Sequence, residues 1–326
     1  MDSLSQLVRL LSPSGSVDLR CRYAGEWQLD HEPAPPGYLP YHLILDGQAL
    51  LHQGPERHAL QPGDVILFPH GAAHRIRSVA GGDDPPSIIA PPTSRRFNGV
   101  LTEITRPGAG TALQMLCGTI ALGNPGSRLL HTLPDTLCIR TADRADYASL
   151  RAVIDMMRLE SDTLSPGAGA IVSELSTVLF TVLLRALIAD GHISQGVLTL
   201  MSDARLARAV NAVLQDPGRD WTIATLAEQS NLSRAAFARQ FAELGGLTPM
   251  ELVTSLRMEL AARLLARDNL PGGIAGERCG YASQAAFTRV FKSHFGIAPA
   301  AYRRQMQERR LQPRYRSTAA LNGNEP

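Results

Sequence analysis

The nine residues SRAAFARQF, Ser233–Phe241, return fifty positions later as SQAAFTRVF, Ser283–Phe291, with a Ser, an Ala-Ala-Phe, an Arg and a closing Phe in register. Each Ser is suited to cap a helix, because its hydroxyl accepts from a backbone N–H that the first turn leaves without a partner. Phe237 and Phe241, like Phe287 and Phe291, are four apart and share one helix face, while Arg239 and Arg289 fall between them and point away. One face anchors and the other offers a guanidinium. A helix and a tight turn precede each copy, IATLAEQSNL with Asn231 and IAGERCGYA with Gly280, both residues tolerant of a left-handed backbone. The pattern is helix, turn, helix, written twice.

The two copies are joined by TPMELVTSLRMELAARLLARD, in which Thr248, Pro249 and Glu251 spell a capping box with proline at the first helical position. Leu252, Leu256, Leu260 and Leu264 repeat every four residues along it. A helix of about 20 residues spans about 30 Å, close to the roughly 34 Å of one duplex turn. Two recognition helices held at that separation enter successive major grooves on one side of DNA. Charge agrees: residues 204–316 carry 17 Lys/Arg against 9 Asp/Glu, whereas residues 1–203 carry 15 against 20. A chain of net charge +2 thus conceals a basic half suited to a polyanion.

At 326 residues the chain is long enough for two or three domains, with 44% apolar and 19% charged residues. Residues 15–140 read as short apolar runs, YHLIL, DVILF and SIIA, separated by Pro- and Gly-rich turns, the pattern of an all-β sandwich or barrel. Residues 80–112 are expected as a long, partly disordered loop, and the tail after Gln312 as unstructured. Two helices are expected between 144 and 190, the second apolar nearly all round and so in need of cover. Its stretch Ile171–Ala189 is long enough to cross a membrane, but burying Glu174 and Arg185 there costs about 3 kcal/mol for a charge at the bilayer centre. A core or interface helix is the better reading, with helix 166–190 the expected dimer seam. The N-terminus has no basic region followed by an apolar core, and Cys21, Cys117, Cys138 and Cys279 form no CxxC, so no signal peptide, zinc ribbon or secreted disulfide framework is expected. The expected setting is the cytoplasm. The expected fold is α+β: a sensor domain 1–140, a helical dimerisation segment 141–202, an all-α double helix-turn-helix domain 203–306 and a flexible tail 307–326.

The stretch LSRAAFARQFAELGGLTPMELVTSLRMELAARLL followed by GERCGYASQAAFTRVFKSHFGIAPAAYRR resembles the double helix-turn-helix domain of AraC/XylS-type transcription regulators over residues 203–306. The resemblance implies that Arg234, Ala235, Ala238 and Arg239, and in the second copy Gln284, Ala285, Thr288 and Arg289, face bases. Arg suits guanine, Gln adenine, and Ala or Thr methyls thymine. Lys292, Arg303 and Arg304 are expected on phosphates. Partners implied are double-stranded promoter DNA, RNA polymerase and a second copy of the chain, with no membrane. One departure is PGGIAGERCGY, where Gly272, Gly273 and Gly276 stand in what the family makes a firm helix, each costing up to about 1 kcal/mol relative to Ala.

GDVILFPHGAAHRI resembles the second motif of the cupin β-barrel, with Gly63, Pro69, Gly71 and His74 at its spacing. Cupins often hold a metal through this His and an earlier His-x-His with a downstream Glu. Here His42 stands alone, with Ile44 where the second His belongs, so no metal and no cofactor are expected; His52, His58 and His70 read as surface or core histidines. A metal-dependent cupin-type enzyme with an attached helical domain is the alternative function. Two signals remain open for the sensor. One is a small ligand in the barrel. The other is oxidation of Cys21 and Cys117: Cys21 lies between Arg20 and Arg22, whose charge would favour a thiolate. The layout of MDSLSQLV, WQL after Cys21 and LCGT around Cys117 is similar to the AraC-type regulators that respond to reactive chlorine, which implies Cys21 and Cys117 as the redox-sensing pair.

Overall fold

The computed structural model describes residues 2–79, 93–142, 144–163, 165–191 and 193–311. The chain divides into two units, each assembled from separate stretches of sequence.

The β unit takes residues 13–121 and 134–183. Its strands are β1 (Ser14–Tyr23), β2 (Gln28–His31), β3 (Tyr38–Asp46), β4 (Ala49–Gln53), β5 (Glu56–Leu60), β6 (Asp64–Leu67), β7 (His74–Ser78), β8 (Ser94–Phe97), β9 (Thr102–Arg106), β10 (Leu113–Ala121) and β11 (Leu137–Arg140). Among the described residues they form a seven-stranded sheet in the order β11-β6-β3-β10-β1-β9-β8 and a four-stranded sheet in the order β2-β7-β4-β5. Between the sheets lie Leu19, Cys21, Tyr23, Ile44, Met115 and Cys117 from the first, and Leu29, Leu51 and Ile76 from the second, with Trp27 and Phe68. The alternation of the strands produces this inner face: Leu19, Cys21 and Tyr23 of β1 point inward, and Arg22 between them is exposed. Part of the stretch expected as a loop is strand. β9 pairs in parallel with β1, placing Ile104 opposite Cys21, and β8 pairs antiparallel with β9 as the exposed edge of the sheet. Residues 80–92 of that stretch, and the tail from 312, lie outside the described residues.

A short 3-10 turn (Ala145–Tyr147) leads into the two expected helices. Helix α1 (Ser3–Leu11) precedes the strands, so these are α2 (Ala148–Thr163) and α3 (Ala168–Asp190). α3 lies directly on β1 at Gly15, where an added Cβ would sit 2.3 Å from Ser176 Cβ. The Gly15 N–H donates to Thr177 Oγ1 at 3.1 Å, and Ser173 Oγ donates to the Gly15 carbonyl at 2.7 Å. Tyr41, fully buried on the outward face of β3, completes the seam: its hydroxyl donates to the Ser16 carbonyl at 2.9 Å and lies 2.8 Å from Ser176 Oγ. α3 is long and apolar enough to cross a membrane, yet Val172, Leu175, Leu179, Phe180, Leu183, Leu184 and Leu187 are all buried within the fold. It is a core helix.

The helical unit gathers residues 2–12, 122–133 and those from 184 onward. Its further helices are α4 (Val197–Ser202), α5 (Leu206–Gln215), α6 (Ile223–Gln229), α7 (Arg234–Gly245), α8 (Pro249–Ala266), α9 (Gly272–Arg278), α10 (Gln284–Phe295) and α11 (Pro299–Leu311). α8 is the spine against which α5, α6, α7, α9, α10 and α11 pack. It opens with the expected capping box: Thr248 Oγ1 accepts from the Glu251 N–H at 3.3 Å, and a Glu251 carboxylate oxygen accepts from the Thr248 N–H at 2.7 Å. α1 is capped by Asp2 and inserts Leu7, Leu10 and Leu11 against α5 and α8. Residues 122–133 are tied to the spine by Asn124, whose side-chain amide donates to Glu259 at 2.8 Å while its oxygen accepts from the Tyr302 hydroxyl at 2.9 Å.

Candidate functional site

The duplicated phrase folds as its residues dictate. Ser233 Oγ accepts from the Ala236 N–H at 3.3 Å and Ser283 Oγ from the Ala286 N–H at 3.2 Å, so α7 and α10 both start at their serine. Asn231 (φ 52°) and Gly280 (φ 79°) make the left-handed turns just before. Phe237, Phe241, Phe287 and Phe291 are buried, the ring centroids of each pair 5.3 and 5.5 Å apart. With the aromatic face fixed inward, Arg234, Ala235 and Arg239 of α7 and Gln284, Ala285 and Arg289 of α10 are exposed, and Ala238 and Thr288 are half-buried beside them. Lys292 and Arg304 are exposed. Arg303 is half-buried, its guanidinium donating to the Leu270 carbonyl at 3.5 Å, and so is less available for a phosphate than the other two. The glycines before α10 do not prevent a helix. Gly276 is needed there, since an added Cβ would lie 2.8 Å from Phe287 Cγ, and it lets α9 approach the second recognition helix.

In the β unit, Cys21 and Cys117 face the same core from adjacent strands, each 1% exposed. Leu19 is opposite Cys117 and Cys21 opposite Met115, so the two cysteines are diagonal neighbours across the β1–β10 pair. The Cys117 thiol donates to Cys21 and lowers it below the ordinary thiol range, with Tyr23 helping and burial opposing, and the same bond pushes Cys117 well above. The expected role of Arg20 and Arg22 is thereby corrected. Strand alternation turns their side chains away from the inward-facing Cys21, and neither contributes to its shift.

His42 does not stand alone, which corrects the expectation drawn from its isolated place in the motif. His31 on β2 is paired directly opposite His74 on β7, and His42 reaches them from β3 of the other sheet. Their ring nitrogens lie within 4.8 Å of one another, all three residues buried. His74 Nδ1 donates to the Ala72 carbonyl at 2.9 Å, which leaves its Nε2 as an acceptor 2.8 Å from His42 Nε2. Both nitrogens of His31 and Nδ1 of His42 have no hydrogen-bond partner among the described residues. Burial holds all three rings neutral, pushing His31 down to about 4, His74 to about 3 and His42 well below its ordinary value. Sequence spacing missed His31 because it lies eleven residues before His42, across a proline-rich connection, where the His-x-His pattern separates its two histidines by one residue. Three neutral imidazoles fit the donor set that zinc and its neighbours prefer.

A family model described as Cupin matches residues 2–189, and one described as Helix-turn-helix domain matches residues 226–305. The RCS-specific HTH-type transcriptional activator RclR of Escherichia coli (strain K12) is 31% identical over 310 residues, which cover 94% of this chain and 99% of that protein. The HTH-type transcriptional regulator MtrA of Neisseria gonorrhoeae is 28% identical over 312 residues, with 94% and 99% covered. Among solved structures, the DNA-binding domain of AdpA in complex with a target DNA is 32% identical, covering 33% of this chain and 96% of that one, with a TM-score of 0.31.

Proposed function

Since the chain belongs to the AraC-type transcription regulators with an N-terminal cupin domain, we propose that it is a cytoplasmic, homodimeric regulator that reads promoter DNA with α7 and α10 and is switched by oxidation of Cys21 and Cys117. The observation that carries the DNA-binding half is the paired exposure of Arg239 and Arg289 on two helices anchored by the same buried Phe pair. Relatives aligned over almost the whole chain are transcription regulators, which favours this reading over an attached-domain enzyme. RNA polymerase is the partner through which occupancy becomes transcription. The dimer seam is the exposed apolar face of α2 and α3, where Met156, Leu159, Ile171 and Val178 are 50%, 59%, 39% and 44% exposed.

The oxidant reading is supported by the thiol pair and by the RCS-specific name of a relative. The Cys21 thiolate attacks the chlorine of hypochlorous acid and hydroxide leaves; the Cys117 sulfur then displaces chloride and loses its proton. Two thiols and one HOCl give one disulfide, chloride, a proton and water. Diagonal neighbours stand about 7 to 8 Å apart at Cα, at or beyond the reach of a relaxed disulfide, so closing the bond draws β1 along β10. The Gly15 contacts with Ser173 and Thr177 pass that shift to α3.

The test is a gel shift on the chain's own upstream DNA with and without hypochlorous acid, alongside intact mass under non-reducing conditions. Wild type is expected to change its DNA affinity or footprint with loss of two hydrogens, and Cys21→Ala to do neither. Wild type that forms the disulfide with unaltered DNA binding would overturn the switch, and absence of any upstream binding by either state would overturn the DNA assignment.

A further inference from the structure

We propose that His31, His42 and His74 form a buried binding site for one divalent first-row transition-metal ion, with zinc the ion of closest fit. The histidines come from three strands in two sheets, so only the closed sandwich brings them together. A buried polar atom without a hydrogen bond costs about 1 to 3 kcal/mol, and this cluster contains three such ring nitrogens. A fold has little reason to keep that cost in its core unless a ligand relieves it, and a cation shared by three nitrogens relieves the atoms it binds. His74 is already held as a ligand is held elsewhere: the Ala72 carbonyl fixes its tautomer and aims Nε2 at the centre of the cluster. Phe68 stacks on one face of the His74 ring at 3.6 Å, and His31 stacks at 4.3 Å.

His42 Nε2–H donates to His74 Nε2 at 2.8 Å, whereas two nitrogens bound tetrahedrally at 2.0–2.1 Å to one ion stand about 3.3 Å apart. Loading therefore parts these two rings by about half an ångström and moves the His42 proton to Nδ1, which has no partner now. The His31 ring has no hydrogen bond to hold it and is free to turn toward the ion. His42 is also the cross-strand partner of Cys117, so the ion would sit in the core that holds the thiol pair.

Full-length protein, stripped with chelator and dialysed under reducing conditions, is titrated with Zn2+ by calorimetry and with Co2+ by visible absorption. Wild type is expected to take up one equivalent of each, to unfold at higher temperature with Zn2+, and to show ligand-field bands of a nitrogen-bound cobalt. His31→Leu removes an unpartnered polar group, so in chelator it should unfold no earlier than wild type, yet lose at least about 100-fold in Zn2+ affinity. His58→Ala, at an outer-strand histidine beside Glu56, should bind as wild type does. The proposal is overturned if wild type takes up no stoichiometric ion, if His31→Leu binds as wild type, or if cobalt shows sulfur-to-metal charge transfer, which would place the ion on the cysteines. Should His31→Leu fail to fold, the cobalt spectrum of wild type decides alone.

Discussion

Arg239 and Arg289 sit at equivalent positions of α7 and α10, exposed beside buried phenylalanines. Truncating either to Ala is expected to weaken specific DNA binding by about 1 to 3 kcal/mol and to relax base preference at one position of the site, whereas Lys292→Ala should weaken all sequences alike and lower the salt slope by about one. Quantitative gel shifts at several salt concentrations separate the two behaviours. Glu259 makes a different prediction. Buried on α8, its carboxyl is pushed up to about 7 from an ordinary 4.5, burial outweighing hydrogen bonds from Asn124 and Ser127. The folded chain then holds a proton that the unfolded chain has released, so the associated stability is full below pH 4.5 and is lost as pH rises through 7. Urea unfolding from pH 5 to 8 should show this fall, up to about 3 kcal/mol, in wild type and not in Glu259→Gln. Residue chemistry was legible in the sequence where its cause is local. The serine caps and the Asn231 and Gly280 turns depend on neighbours within a few positions. The state of Cys21 depends on Cys117, ninety-six residues away, and flanking arginines misdirect the reading.

At the scale of elements, α9 and α10 show how a weak helix former becomes a packing requirement. An added Cβ at Gly276 meets the Phe287 ring at 2.8 to 3.0 Å, while at Gly273 the nearest atom is Gln284 Oε1 at 3.6 Å. Gly276→Ala is therefore expected to destabilise the chain by about 1 to 3 kcal/mol, and Gly273→Ala to stabilise it by about 0.5 to 1 kcal/mol through the lost freedom of glycine in the unfolded state. Thermal unfolding of the two variants should shift in opposite directions. Propensity alone assigns both glycines the same sign. The helices were legible in general, since caps and 3.6-residue periodicity are written in contiguous residues, and α2, α3, α7, α8 and α10 lie where the sequence puts them. β8 and β9 were not, because a strand is completed by a partner: β9 is completed by β1, some eighty positions earlier, and β8 by β9 in turn.

For the whole molecule, the exposed apolar face of α2 and α3 has a consequence for assembly. Leu159→Glu, at a side chain 59% exposed, should leave the fold intact and shift the chain toward monomer in analytical ultracentrifugation. A dimer that persists unchanged would move the seam elsewhere. The histidine triad and the membership of the two units belong to this scale, and neither was written in any window of sequence: His31, His42 and His74 meet only when two sheets close, and the N-terminal helix joins residues far down the chain. The helical unit is supplied by three separate segments, 2–12, 122–133 and those from 184 on. No single recombination breakpoint can then lift the DNA reader cleanly onto another sensor. A graft starting at residue 184 would leave behind Leu7, Leu10 and Leu11 from the face of α5 and α8, and Asn124 from Glu259. Lineages that exchange these modules must carry the two short pieces along or rebuild their surfaces, so inheritance of the chain as one piece is favoured.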